Sequence, residues 1–367
     1  MNLNGFKFFV VAILGVFLST FPGAVFAQHE EHGVAETPHA EEEKKGFNAS
    51  EVIFSHIMDA HEFHLFEYHG SDGKEHHVTI PLPVVLYSPT KGLSVFMSSA
   101  FHHGEHEAHG YKMEGETIVS VDGSKVYDFS LTRNVVQMLI ALIVLLWIMI
   151  SVASKYKSRA NQAPTGMQNA IEPVITFIRD EVAVPNLGHK ANKFLPYLLT
   201  VFFFILVNNI FGLIPGSANV TGNIAFTLVM AVISFLVILF STNKHFWIHI
   251  FNPPVPGMVK PILTPVELLG VFTKPFALMI RLFANMMAGH IIIICLISLI
   301  FIFSGINTGV GIGFSPVSIA FAVFIYLIEV LVAFIQAFIF TNLTAVFIGQ
   351  AFEGEHHHEE GHGDAHH

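Results

Sequence analysis

Between Lys193 and Lys244 lie 50 consecutive residues without a formal charge or a histidine. Few folds tolerate such a stretch. About 20 apolar residues cross a bilayer as a helix, so this run is long enough for two crossings. The turn signal Gly212-Leu213-Ile214-Pro215-Gly216-Ser217 near its middle predicts two helices and a short loop over residues 194–241. Arg133 and Lys155 bracket 21 more uncharged residues, which predicts a first transmembrane helix over 131–154. No formal charge occurs between Arg281 and Glu329, or between Glu329 and Glu353, and a Gly/Asn-rich break falls at 305–313. Two further spans follow, one over 262–303 and one over 316–352, making five crossings.

The remaining composition excludes several classes. Charged residues make up 13% of the chain and hydrophobic residues 52%, whereas a soluble domain carries about 25% charged residues. That apolar content excludes a disordered chain. With 18 Lys+Arg against 28 Asp+Glu, no basic face is available for nucleic acid. The one cysteine, Cys295, allows no intramolecular disulfide and no CxxC metal site. No phosphate-cradling Gly-x-x-x-x-Gly-Lys-Ser/Thr run occurs, so direct ATP binding is not expected. No cofactor is expected either.

Residues 1–27 have Lys7, an apolar run from Phe8 to Phe21 and a small-residue end at Ala24-Val25-Phe26-Ala27, the pattern of a cleaved signal peptide. An uncleaved anchor is the alternative, and either one starts residue 28 outside the cytoplasm. Residues 28–130 form a polar exported segment holding 13 of the 23 histidines. Runs such as 76–83 and 93–97 read as short strands cut by Pro and Gly, so this small domain is expected to be β-containing.

The bias of Lys and Arg toward cytoplasmic loops tests the orientation. The segment 153–193 holds Lys155, Lys157, Arg159, Arg179, Lys190 and Lys193, and the segment 241–280 holds Lys244, Lys260 and Lys274. The loops at 215–223 and 304–315 hold none. Five crossings from an exported N-terminus put both basic loops and the C-terminus inside. Within the first basic loop, Ile171, Val174, Ile175, Ile178 and Val182 share one helical face, with Glu172, Arg179 and Glu181 off it. An amphipathic cytoplasmic helix over 165–190 lying on the membrane is therefore expected, with a solvated loop as the alternative. The tail, 353–367, is rich in histidine and glutamate. Such tracts can bind zinc or copper, but a solvated low-complexity tail is the stronger reading, so no metal site is assigned.

Ionisable groups in hydrocarbon cost at least about 2.5–3.5 kcal/mol and usually mark an ion path. The last two spans carry Arg281, Asn285, His290, Glu329, Gln336 and Asn342. A helix from Phe276 to Phe303 is about 42 Å long, more than the roughly 30 Å core, so it tilts or protrudes. Arg281 can then sit deep, or snorkel from a helix end. Asn285 follows Arg281 by one turn on nearly the same face, whereas His290 points to the other side. Glu329 and Gln336 are seven residues apart and share a face. With the two helices antiparallel, Gln336 at the depth of Arg281 puts Glu329 near His290. The expected result is an arginine–amide layer and a His–Glu layer able to exchange a proton near neutral pH. No carboxylate in its own layer partners Arg281, and an unpaired buried guanidinium is expensive. A carboxylate on another subunit is the natural partner.

The run Arg281-Leu282-Phe283-Ala284-Asn285-Met286-Met287-Ala288-Gly289-His290 resembles the signature helix of subunit a of F-type ATP synthases. Ile328-Glu329 through Gln336-Ala337-Phe338-Ile339-Phe340 resembles that family's final helix, and Asn209 to Gly216 its first hairpin. The likeness covers roughly residues 130–352 in order. It implies an all-α polytopic protein of a bacterial inner membrane, with two long tilted antiparallel C-terminal helices. It implies a stator beside a ring of c subunits, held by the b subunit stalk and surrounded by the lipid bilayer. Arg281 then matches the family's essential arginine, which separates two offset half-channels. His290 and Glu329 match the half-channel open to the outside, and Asn285 and Gln336 are polar neighbours of the arginine. The His–Glu order is exchanged relative to many bacterial members. Gly212 stands where some members carry an acidic residue, which leaves Asn208, Asn209 and Asn223 as candidates for the outer entrance. A divalent-metal transporter with metal-collecting histidine tails is the competing function.

Overall fold

The computed structural model describes residues 59–69, 75–104, 106–115, 117–158, 162–214, 217–242, 244–251 and 260–351. The expected signal peptide and the histidine-rich tail lie outside them. Seven short strands precede the helices: β1 (Glu62–His69), β2 (Glu75–Pro81), β3 (Pro83–Ser88), β4 (Gly92–Met97), β5 (Tyr111–Glu114), β6 (Thr117–Ser120) and β7 (Tyr127–Asp128). They form three small antiparallel sheets, β1-β2, β4-β3-β7 and β5-β6. Alternation along β3 turns Val84 and Leu86 inward, where they are fully buried with Phe101, Tyr111 and Ile118.

Eight helices follow among the described residues: α1 (Arg133–Ser158), α2 (Met167–Phe177), α3 (Val184–Leu187), α4 (Ala191–Leu213), α5 (Ile224–Ser241), α6 (Lys244–Phe251), α7 (Lys260–Ile306) and α8 (Thr308–Gln350). Five helical stretches are long and apolar enough to cross a membrane: α1, Met167–Leu213, α5, α7 and α8. The protein is an all-α polytopic membrane protein with a small β-containing N-terminal region. At 1.5 Å per residue, α7 and α8 reach about 70 and 65 Å. Both exceed twice the hydrocarbon thickness, so they tilt or extend beyond it.

Two stretches differ in detail from the sequence reading. The segment 165–190 is not one uniform amphipathic helix. A wide helical turn, Ile178–Ala183, links α2 to α3, and Gly188 at φ 51°, a conformation that disfavours side chains, turns the chain into α4. On its apolar face Ile178 and Val182 are fully buried, the Phe177 and Phe338 rings lie 5.4 Å apart, and Asn186 donates from Nδ2 to Asn342 Oδ1 at 3.1 Å. The break expected at 305–313 shrinks to Asn307. Its Oδ1 accepts from Gly309 N at 2.8 Å and its carbonyl from Gly311 N at 3.0 Å, so α8 begins at Thr308.

The contacts of the chain divide into two units. Among the described residues, one contains 59–232 and 273–346, and the other contains 233–272 and 347–351. The second has its own cluster, where Phe235, Leu239, Trp247 and Ile250 pack with Leu268 and Phe272. The candidate site lies in the first.

Candidate functional site

Successive contacts fix α7 and α8 as an antiparallel pair. Near the Asn307 turn, a Cβ on Gly311 would come 2.7 Å from Ser304 Cα, so glycine is what allows this close approach. Further along, Ser318 Oγ donates to the Leu296 carbonyl. Next, the Glu329 carboxylate lies on the backbone of Gly289, where an added methyl would overlap Glu329 Oε1 and Cδ. One turn beyond, Asn285 Nδ2 donates to Gln336 Oε1 at 3.0 Å.

The polar residues therefore occupy two levels, with one shift from expectation. Gln336 meets Asn285, one turn from Arg281, so the amide pair adjoins the arginine along the helix. Glu329 reaches the level of Gly289 and His290, but neither of its buried carboxylate oxygens receives a hydrogen bond from a described residue. The expected His–Glu pair is thus close in level without a direct hydrogen bond.

Exposure divides these groups sharply. Glu329 and Gln336 are buried, His290 is half-buried, and Arg281 and Asn285 are exposed. Arg281 stands on a stripe of α7 that continues through Ala284, Asn285, Ala288 and Ile292, all exposed, at the three- and four-residue steps of one helical face. Among the described residues no ion pair involves Arg281. The sequence reading treats this guanidinium as buried, whereas in this chain by itself it lies on the exposed face of α7.

The hairpin asparagines do different things. Asn209 Nδ2 donates to the Ala333 carbonyl at 3.0 Å, between Glu329 and Gln336 along α8. Asn208 Nδ2 donates back to Phe204 O within its own helix. Both asparagines are fully buried, and their Oδ1 atoms have no hydrogen-bond partner among the described residues. Asn223 is a helix cap, its Oδ1 accepting from Ala225 N at 2.9 Å.

Sequence reasoning missed Asn219. Its Nδ2 donates to Met286 O at 3.2 Å and its Oδ1 accepts from Gly222 N at 3.0 Å, which ties the hairpin loop to the arginine helix. The signal was the pair Gly212 and Gly222. A Cβ on Gly212 would sit 3.2 Å from Asn219 Oδ1, and one on Gly222 would sit 2.7 Å from Nδ2. Gly212, noted as a departure from the acidic residue of some relatives, leaves room for this side chain. Tyr326, also missed, donates from its hydroxyl to Leu213 O at 3.1 Å and fastens α8 to the same loop.

Residues 135–349 match the model of a protein family described as the ATP synthase A chain. The chain belongs to that family. Subunit a of the ATP synthase from Chloroherpeton thalassium is 49% identical over 273 residues, covering 72% of this chain and 80% of the relative. Subunit a from Chlorobium phaeobacteroides strain BS1 is 46% identical over 240 residues, covering 64% and 70%. A match to subunit a 2 from Chlorobium luteolum runs over 356 residues at 38% identity, covering 94% of this chain and 88% of the relative. Residues 52–137 match a second family, described only as a domain of unknown function. As a member of the ATP synthase A chain family, the protein is a multi-pass membrane component of the H+-transporting ATP synthase and works with the other subunits of its membrane sector. Nothing in these matches points to metal transport. Among the described residues no group of three or more His, Cys, Asp and Glu side chains gathers as a metal site would require.

Proposed function

We propose that this chain is the stator that delivers protons to and from a ring of c subunits, each bearing a carboxylate in the membrane. The observation that carries this reading is Arg281, exposed on an apolar helix and without an ion pair among the described residues. A guanidinium cannot release its proton, so it acts as a fixed cation. It holds a passing ring carboxylate in the charged form and forces that group to be protonated elsewhere. The small residues Ala284 and Ala288 beside it let a second helix approach closely.

Glu329 and His290 form the proton-exchanging station of the half-channel on the side of the Asn307 turn. Asn208 and Asn209, with buried acceptor atoms, line its approach, while Asn285 and Gln336 hold α7 and α8 in register beside the arginine. The N-terminus and the Asn307 turn face the exterior and the C-terminus the cytoplasm, and the b subunit stalk holds the chain against ring torque. Each proton carries about 2.3 kcal/mol per 100 mV, which a direct leak past Arg281 would dissipate. The test is Arg281→Ala in the assembled synthase. ATP-driven acidification of inverted vesicles is expected to be lost while the complex still assembles. Pumping at the unaltered rate would end the proposal.

A further inference from the structure

The sheet β4-β3-β7 is apolar on both faces. One face covers the buried cluster of Val84, Leu86 and Tyr111. On the other, β4 presents Leu93, Val95 and Met97, with Leu93 67% and Val95 63% exposed. Opposite them, the register pairs Tyr87 with both Leu93 and Tyr127. The ladder then runs past the end of β7: Phe129 N donates to Val85 O at 2.9 Å and Leu131 N to Pro83 O at 3.2 Å. Tyr127, Phe129 and Leu131 therefore fall on this same face, and Phe129 is 66% exposed. Three rows across three strands cover ~300 Å² without a charged side chain. A patch of that size matches the largest on a typical soluble monomer, which is often functional.

The membrane identifies what covers this face. Lys155 and Lys157 close the far end of α1. The 21 uncharged residues between Arg133 and Lys155 span about 31 Å, the thickness of the hydrocarbon core. Arg133 is thereby held at the near headgroup boundary, with Leu131 two residues away. The joint has no slack. Arg133 N donates to Ala60 O at 2.9 Å and Asn134 N to Asp59 Oδ1 at 3.1 Å, so the domain supplies the first acceptors of the helix. Val85 N donates to Ser130 Oγ at 3.0 Å, and Asp128 Oδ1 accepts from Ser130 N at 2.8 Å. The apolar face is thus continuous along the chain with α1, whose Ile143, Trp147 and Ile150 are themselves exposed. Its aromatic residues, Tyr87, Tyr127 and Phe129, are of the kind enriched at membrane interfaces.

We propose that this sheet face lies on the bilayer, in the leaflet next to the first residue of α1, with Leu93, Val95 and Phe129 in contact with lipid. The domain is then a membrane-resting platform that fixes the tilt of α1, and not a free appendage.

The test uses the assembled synthase carrying Cys295→Ala, reconstituted in phosphatidylethanolamine/phosphatidylglycerol vesicles. Nitroxide labels are placed at Leu93→Cys and Val95→Cys, with Lys125→Cys, an exposed position of the same domain, as reference. These positions face away from the buried cluster, so labelling leaves the core intact. Oxygen is expected to relax the labels at 93 and 95 severalfold more than a water-soluble nickel complex does, with the order reversed at 125. Strong relaxation by nickel at 93 and 95 would mean a water-exposed face and overturn the proposal. Weak relaxation by both agents would mean a covering polypeptide, and would overturn it equally. A second measurement avoids cysteine altogether. The tryptophan emission that Phe129→Trp adds over the unaltered protein, whose exposed Trp147 lies on α1, is expected to be quenched by brominated phospholipid, and added emission that stays unquenched would count against lipid contact.

Discussion

Gly289 sets how near a carboxylate can come to the arginine helix. Its missing side chain is the space that Glu329 occupies. Gly289→Ala is therefore expected to displace Glu329 and reduce passive proton conduction through the membrane sector severalfold, measured in vesicles stripped of the catalytic sector. Adding Glu329→Asp, shorter by one methylene, is expected to recover part of the loss. Normal conduction in the single variant would show that the close approach has no bearing on the path. Glu329→Gln removes the ionisable group while keeping its shape, and is expected to slow proton delivery. Proton flux equal to that of the unaltered protein at every pH measured would remove Glu329 from the path. Arg281, Asn285, His290, Glu329 and Gln336 stand out in the sequence one by one, because a polar group is costly in hydrocarbon. Asn219 does not, since an asparagine beside a glycine-rich turn looks like any loop residue.

At the scale of elements, the docking of the β region to α1 depends on a small polar joint. His61 Nε2 and Asp128 Oδ2 lie 2.7 Å apart, and His61 is buried. Burial works against a charged Asp128. Hydrogen bonds from His61 and from the Ser130 side chain and backbone outweigh it and hold the carboxyl below its usual range. A depressed carboxyl contributes stability above its unfolded value, about 3.9, and that stability is lost as pH falls through the folded value. Asp128→Asn is therefore expected to loosen the domain at neutral pH and to flatten its acid sensitivity, so that the two proteins converge at low pH. Amide hydrogen exchange of residues 83–97 in the full chain measures this, and parallel pH curves for the two proteins would refute the joint. Of the strands in this region, the runs at 76–83 and 93–97 are readable in the sequence, as short apolar stretches cut by Pro and Gly. The start of α8 at Thr308 is not. Gly309, Gly311 and Gly313 read as a breaker cluster, yet Asn307 caps them and the contact at Ser304 requires Gly311.

For the whole molecule, the proposed topology puts Gln162 and Asn307 on opposite sides of the membrane. Single cysteines at these positions, in the Cys295→Ala background, are expected to react with an impermeant maleimide from opposite sides of oriented vesicles. Labelling from the same side would break the five-crossing path. The sequence by itself determined that the chain spans a membrane and which side chains must be explained there, because charge in hydrocarbon is too costly to be incidental. The Arg281 motif also carried enough information to indicate the family. What only the tertiary structure decided is which polar groups meet: Asn285 with Gln336, Asn209 with Ala333, Asn219 with Met286, and Glu329 on Gly289. The physical reason is that a helix apolar on nearly every side has no preferred face. Its rotation and register are set by where a neighbour finds a glycine to approach and a carbonyl to bond, and both belong to the neighbouring helix.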